Sequence, residues 1–136
     1  MIVVDTSVWI AFFRSAHRRT VAHLRDLLDA ERVTLAAPVR VELMVGAARR
    51  DRPTLERLLS ALPLVYPKPE TWRRIDTWVA RAVDASERFG FADLLIGSLA
   101  ADERASVWSL DRDFARMARL DFIETYSPGH RPSKRC

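Results

Sequence analysis

The chain has 136 residues, 49% hydrophobic and 29% charged, which suits one globular domain with a real core and excludes intrinsic disorder. Its net charge of +4 is carried mostly by Arg, which is compatible with a phosphate-bearing partner, although solvated helix faces explain such a balance more simply. The lone Cys136 rules out a disulfide framework or a thiolate metal site, and the apolar start, interrupted by Asp5 and without a basic leader, is a poor signal peptide; a reducing cytoplasm is the expected setting.

Residues 1–4 are a continuous apolar, β-branched run, the pattern of a strand buried on both faces. Asp5, Thr6 and Ser7 stop it, and Val8 to Phe13 reads as a short apolar helix. Val21, Leu24, Leu27 and Leu28 form one helical face over residues 18–31. A strand follows at Val33 to Ala37. Pro38 opens a helix reaching about Arg50, and Pro53 restarts another that carries Leu55, Leu58, Leu59 and Leu62. Leu64–Tyr66 is a third strand. Trp72, Ile75, Val79 and Val83 predict the longest helix, over residues 70–88. Ala92 to Ala101 is a compact apolar helix, Ser106 to Leu110 a fourth strand, and Asp111 to Leu120 a short helix. Asp121 to Thr125 is expected as a fifth, edge-like strand. Residues 127–136 are expected to be a basic, mobile tail beyond a domain of residues 1–126.

Alternation of strands with helices predicts an α/β fold, a doubly wound and mainly parallel sheet with helices on both faces. Sites in such sheets lie outside the carboxyl ends of the strands. Asp5 ends a buried strand there; the competing role is a helix N-cap, which Thr6 or Ser7 could fill instead. Glu42, one turn into a helix, reads by itself as an exposed helical acid. Asp93 interrupts the stretch from Gly90 to Ala101, which has no other charge, and an unpaired carboxylate in an apolar setting is costly. Gly97, one turn on, would let this helix approach the strand bearing Asp5. Asp111 follows the fourth strand; helical spacing turns Asp113 elsewhere, so one of the two is expected in the site, Asp111 as the nearer to the strand end and Asp113 as a supporting residue.

Crowded together, such acids raise one another's pKa unless a cation neutralises them. All-oxygen ligands favour magnesium or manganese over zinc. His17, His23 and His130 lack ligand spacing and read as surface residues. No Gly-rich phosphate loop and no nucleophile elbow is present.

The segments Ile2–Val8, Val41–Leu43 with Gly46–Ala47, Gly90–Gly97 and Ser109–Phe114 resemble the motifs of PIN domains, specifically VapC-type toxins, in the expected order over residues 1 to about 125. Ser109 stands where Thr is commoner and keeps the hydroxyl. The resemblance implies a metal-dependent endoribonuclease with Asp5, Glu42, Asp93 and Asp111 around Mg2+ or Mn2+. It also implies that Thr6 orients an acidic side chain, with Ser109 in support. An RNA substrate, a VapB-like antitoxin laid in a groove and a homodimer are its implied partners. Two other readings compete. A receiver or Asp-nucleophile phosphatase needs paired acids at the first strand, which Asp5-Thr6-Ser7 does not offer. A non-catalytic interaction domain would have no need of all four acids.

Overall fold

The computed structural model describes residues 1–129. Four short strands form one parallel sheet in the order β3-β2-β1-β4: β1 (Ile2–Val4), β2 (Val33–Ala36), β3 (Leu64–Val65) and β4 (Ser106–Trp108). β1 is central and wholly buried, with Ile2 opposite Val33 on one side and Val4 opposite Trp108 on the other. Parallel neighbours need crossovers. Helices α1 (Thr6–Phe13) and α2 (Arg18–Asp29) join β1 to β2, and α3 (Ala37–Gly46) and α4 (Arg52–Ser60) join β2 to β3. Helices α5 (Pro69–Asp84) and α6 (Phe91–Asp102) return the chain to β4, after which α7 (Asp113–Arg119) follows.

The chain therefore steps outward from β1 through β2 and β3, then crosses back to pair β4 with the other edge of β1. The winding direction reverses between β1 and β4. At such a switch point the two loops leave the strand ends in opposite directions and open a crevice.

Helix α6 packs against β1, β2 and β4, and every residue from Leu94 to Ala100 is buried. A helix apolar all round belongs inside. Gly97 permits close packing, but not against β1: a Cβ there would stand 2.6 Å from Met117 Cε, 3.3 Å from Ile123 and 3.4 Å from Trp78. The close approach it allows is to α7 and α5.

Four further expectations are corrected. The fifth strand is reduced to a single bridge between Thr125 and Val107, because Phe122 turns inward to stack flat on Trp78 at 4.8 Å. The buried face of α5 is Thr71, Ile75, Trp78 and Ala82, leaving Trp72, Val79 and Val83 exposed. The larger Trp78 and a polar network around Thr71 set the rotation of that helix. His23 is not a free surface residue: it stacks on Tyr126, meets Trp108 edge-on, and its Nε2 lies 2.5 Å from the Tyr126 hydroxyl. Helix α3 ends at Gly46, short of Arg50, where Ala47 turns extended. The tail from His130 onward lies outside the described residues. Among the described residues no helix is long and apolar enough to cross a membrane.

Candidate active site

The end of β1 is stitched to the end of β4 through one carboxylate. Asp5 is 6% exposed. Its Oδ2 accepts hydrogen bonds from the Ser7 hydroxyl at 2.7 Å, the Ser109 hydroxyl at 2.8 Å and the Ser7 amide at 3.3 Å. The same two hydroxyls accept from the turn after β4: the Leu110 amide donates to Ser7 at 3.0 Å and the Asp111 amide to Ser109 at 2.9 Å. Asp5 is itself the N-cap of α1, so Thr6 and Ser7 do not relieve it of that role. The sequence offers Ser7 no role beyond a possible cap, since one hydroxyl beside another carries no spacing signal.

Asp93 lies in the first turn of α6, whose N-cap is Gly90. Its carboxyl is pushed up to about 7, first by burial, then by the charges of Asp111, Asp5 and Asp113, and by a hydrogen bond with Asp113. An acid at a helix N-terminus is ordinarily favoured by the helix dipole. Here burial and like charge outweigh it.

Asp111 and Asp113 both approach Asp93: one oxygen from each of the three lies within 4.8 Å of the others. The expectation that Asp113 turns away from Asp111 rests on both being helical. α7 begins only at Asp113, and the Asp111 side chain instead caps the turn, its Oδ1 accepting from the Asp113 amide at 3.0 Å. A non-helical residue is free of the helical rotation that would separate them.

Glu42 is an exposed residue of α3 within reach of the Asp5 charge. Partial burial of the carboxylate and the Asp5 charge raise its pKa, and the Thr6 hydroxyl pulls it back. The Thr6 Oγ1 is buried and completes no hydrogen bond among the described residues, although it is close enough to favour the ionised Glu42. A buried hydroxyl left in that state beside an acid suits a site whose remaining partner comes from solution. Asp93, Asp111 and Asp113 thus form one cluster of oxygens, and the charge of Asp5 is felt both by Asp93 and by Glu42. The donors are all oxygen, the chemistry of a hard divalent ion. Beside Glu42 a groove of about 600 Å³ runs between α1, α3 and α4, lined by Ile10, Phe13, Leu43 and Leu55, with Arg14.

The family model described as PIN domain matches residues 2–120. The chain belongs to the PIN-domain family. Ribonuclease VapC11 of Mycobacterium tuberculosis is 31% identical over 132 residues, covering 93% of this PIN chain and 98% of that protein. VapBC2 from Rickettsia felis, solved bound to a DNA fragment from their promoter, superposes with a TM-score of 0.76 at 17% identity, over 93% of this chain and 98% of that one. A toxin–antitoxin complex from Klebsiella pneumoniae gives a TM-score of 0.69 at 18% identity, over 92% and 97%. At those identities the two structures speak for the fold alone. PIN nucleases generally use divalent metal ions, and this PIN domain carries an acidic cluster with the oxygen donors for one.

Proposed function

We propose that this PIN domain is a divalent-metal-dependent endoribonuclease acting in the cytoplasm, the toxin of a toxin–antitoxin pair, with Asp5, Glu42, Asp93 and Asp111 as its catalytic acids. The observation that carries the reading is Asp93: its carboxyl is pushed up to about 7 among acids, and no Arg or Lys among the described residues pairs with it. With no cation of the described residues paired to it, the carboxyl is neutralised by a proton or by a cation from outside. Mg2+ or Mn2+ would be that cation and, once bound, lower the pKa of an attacking water and offset charge on the departing oxygen of a phosphodiester.

The chain's own residues do the rest. Asp93 and Asp111 offer oxygens for the ion, with Asp5 behind them held in one orientation by Ser7 and Ser109. Asp113 supports them. Glu42, raised by burial and by Asp5, is the acid able to take a proton from the attacking water, with Thr6 orienting it. The apolar groove beside Glu42 would receive an antitoxin segment of VapB type and so close the approach to the acids. Trp72, Val79 and Val83 with Phe91, all exposed, form an apolar face suited to a second copy in a homodimer.

The test is cleavage of a structured RNA by the purified chain. Cleavage with Mg2+ or Mn2+ that stops in EDTA supports the reading. Mn2+ binding without cleavage of any RNA would favour the interaction-domain alternative.

A further inference from the structure

Glu87, Phe89 and Arg116 build a charged clamp beside the acids. Glu87 and Phe89 belong to the segment that leads from α5 into α6, just ahead of Asp93. Arg116 lies on α7, one turn after Asp113. Its Nη1 donates to Asp113 Oδ1 at 2.7 Å and its Nε to Glu87 Oε2 at 3.0 Å. Its Nη2 donates to the same Glu87 oxygen and, at 3.1 Å, to the Arg88 carbonyl. The guanidinium also sits over the Phe89 ring, 4.8 Å from its centroid. Every nitrogen of the fork has an assigned acceptor, and the side chain is 27% exposed.

An isolated surface ion pair contributes little, because both partners stay mobile. This guanidinium is held by a carboxylate, a carbonyl and a ring, and a planar fork fixed in that way orients whatever it binds at its remaining nitrogen. That acceptor is Asp113, whose carboxylate reaches within 4.8 Å of those of Asp93 and Asp111. Arg116 engages one Asp113 oxygen and leaves a second for an ion. The clamp also bridges the lead-in to Asp93's helix and the helix of Asp113, so it sets the distance between the two acids.

Resting on the metal-nuclease reading above, we infer that Arg116, anchored by Glu87 and Phe89, is a positioning residue of the metal centre: it holds Asp113 in place against Asp93 and Asp111. Groups that orient metal ligands from behind typically change metal affinity 10–100-fold when removed.

The test is Mn2+ titration of the full chain without RNA, followed by the paramagnetic signal of free Mn2+. Arg116→Gln should weaken binding by about tenfold or more, and Glu87→Gln, which keeps both Arg116 and Asp113, by a few-fold. Arg81→Gln is the control. Arg81 donates to the Leu120 carbonyl at 2.8 Å and lies 4.9 Å over Phe122, comparable contacts at the far end of α7 that touch none of the acids. It should lower thermal stability and leave Mn2+ affinity unchanged. Unchanged affinity in folded Arg116→Gln overturns the inference. Tighter binding overturns it too, since Arg116 would then be a counter-charge competing with the ion. A loss confined to KM for RNA, with Mn2+ affinity intact, would make Arg116 a phosphate contact instead. Should Arg116→Gln not fold, Glu87→Gln decides by the same criteria. A wild-type chain that binds no Mn2+ at all would defeat the metal-nuclease reading itself, an outcome distinct from the others.

Discussion

Helix α6 begins and ends with a carboxylate, and the protein treats the two in opposite ways. At the carboxyl end, the Asp102 side chain is 6% exposed and accepts from Arg74 Nη1 at 2.5 Å and from the Thr71 hydroxyl. Arg74 also reaches the Ser98 carbonyl at 2.9 Å, and Ser98 donates back to the Thr71 carbonyl at 2.8 Å. That acid is complete, because the chain supplies its cation and its donors. At the amino end Asp93 faces Asp111, Asp5 and Asp113. The helix dipole favours an acid at the amino end and disfavours one at the carboxyl end. Neighbours outweigh the dipole at both ends. An acid with a built-in counter-charge holds α5 to α6; an acid among acids awaits an ion.

The contrast can be broken from either side. The largest effect is expected at the amino end: Asp93→Asn should lower metal-dependent RNA cleavage by roughly 10²–10³-fold, the several kcal/mol that metal-assisted hydrolysis draws from the ion. Cleavage that survives the change would place the chemistry elsewhere. At the carboxyl end, Arg74→Met should leave Asp102 buried without its partner and destabilise the fold by about 3 kcal/mol, read from urea unfolding. Metal affinity should change far less than stability in that variant.

A pH series sharpens the comparison. The Asp93 carboxyl stands at about 7 in the folded chain. Unfolded Asp titrates near ~3.9, so the folded, ion-free chain binds more protons between the two values. The contribution of Asp93 to stability therefore declines as pH rises through that window and stays lost above it. Allowing for solvent screening, the loss is on the order of 1–2 kcal/mol. In EDTA, Asp93→Asn should match the wild type near pH 4.5 and exceed it at pH 8 in urea midpoint. Equal midpoints at both pH values would mean that neither burial nor the neighbouring acids penalise the charged carboxylate. The smallest effect is expected from Gly97→Ala. The new Cβ meets Met117 Cε at 2.6 Å, but that is the end of a flexible side chain. Overpacking costs about 1–2 kcal/mol and the helix regains nearly ~1 from Ala, so the net loss should stay under about 1 kcal/mol in thermal denaturation.

Much of the architecture was legible because burial leaves periodic traces. The unbroken apolar run of β1 marks a central strand, and Asp93 stands out as a charge within an apolar helix. Asp5 and Asp93 could be found because each sits where local hydrophobicity makes a carboxylate expensive. What escaped detection depends on partners far away in the chain. Arg116 and Glu87 are ordinary charges in sequence, and only folding brings the segment before α6 against α7. The buried face of α5 lies one position away from its hydrophobic pattern because Thr71 is buried through its bonds to Asp102 and Lys68, not through hydrophobicity. Helical spacing separates Asp113 from Asp111 only if both are helical, and Asp111 precedes the helix, so Asp113 reaches Asp93 as well. The edge-like strand after α7 is a bridge only: Val107 bonds Glu124 and Tyr126 on either side of Thr125, while Phe122 leaves the strand line to stack on Trp78.

The most direct measurement is a proton count during Mn2+ binding, obtained by calorimetric titration at pH 6.5 in buffers of different ionisation enthalpy. With the Asp93 carboxyl near 7, the ion should displace most of one proton from the wild type and almost none from Asp93→Asn. Binding that releases no proton from the wild type, or the same number from both chains, would contradict the claim that an outside cation relieves the crowding at this carboxylate.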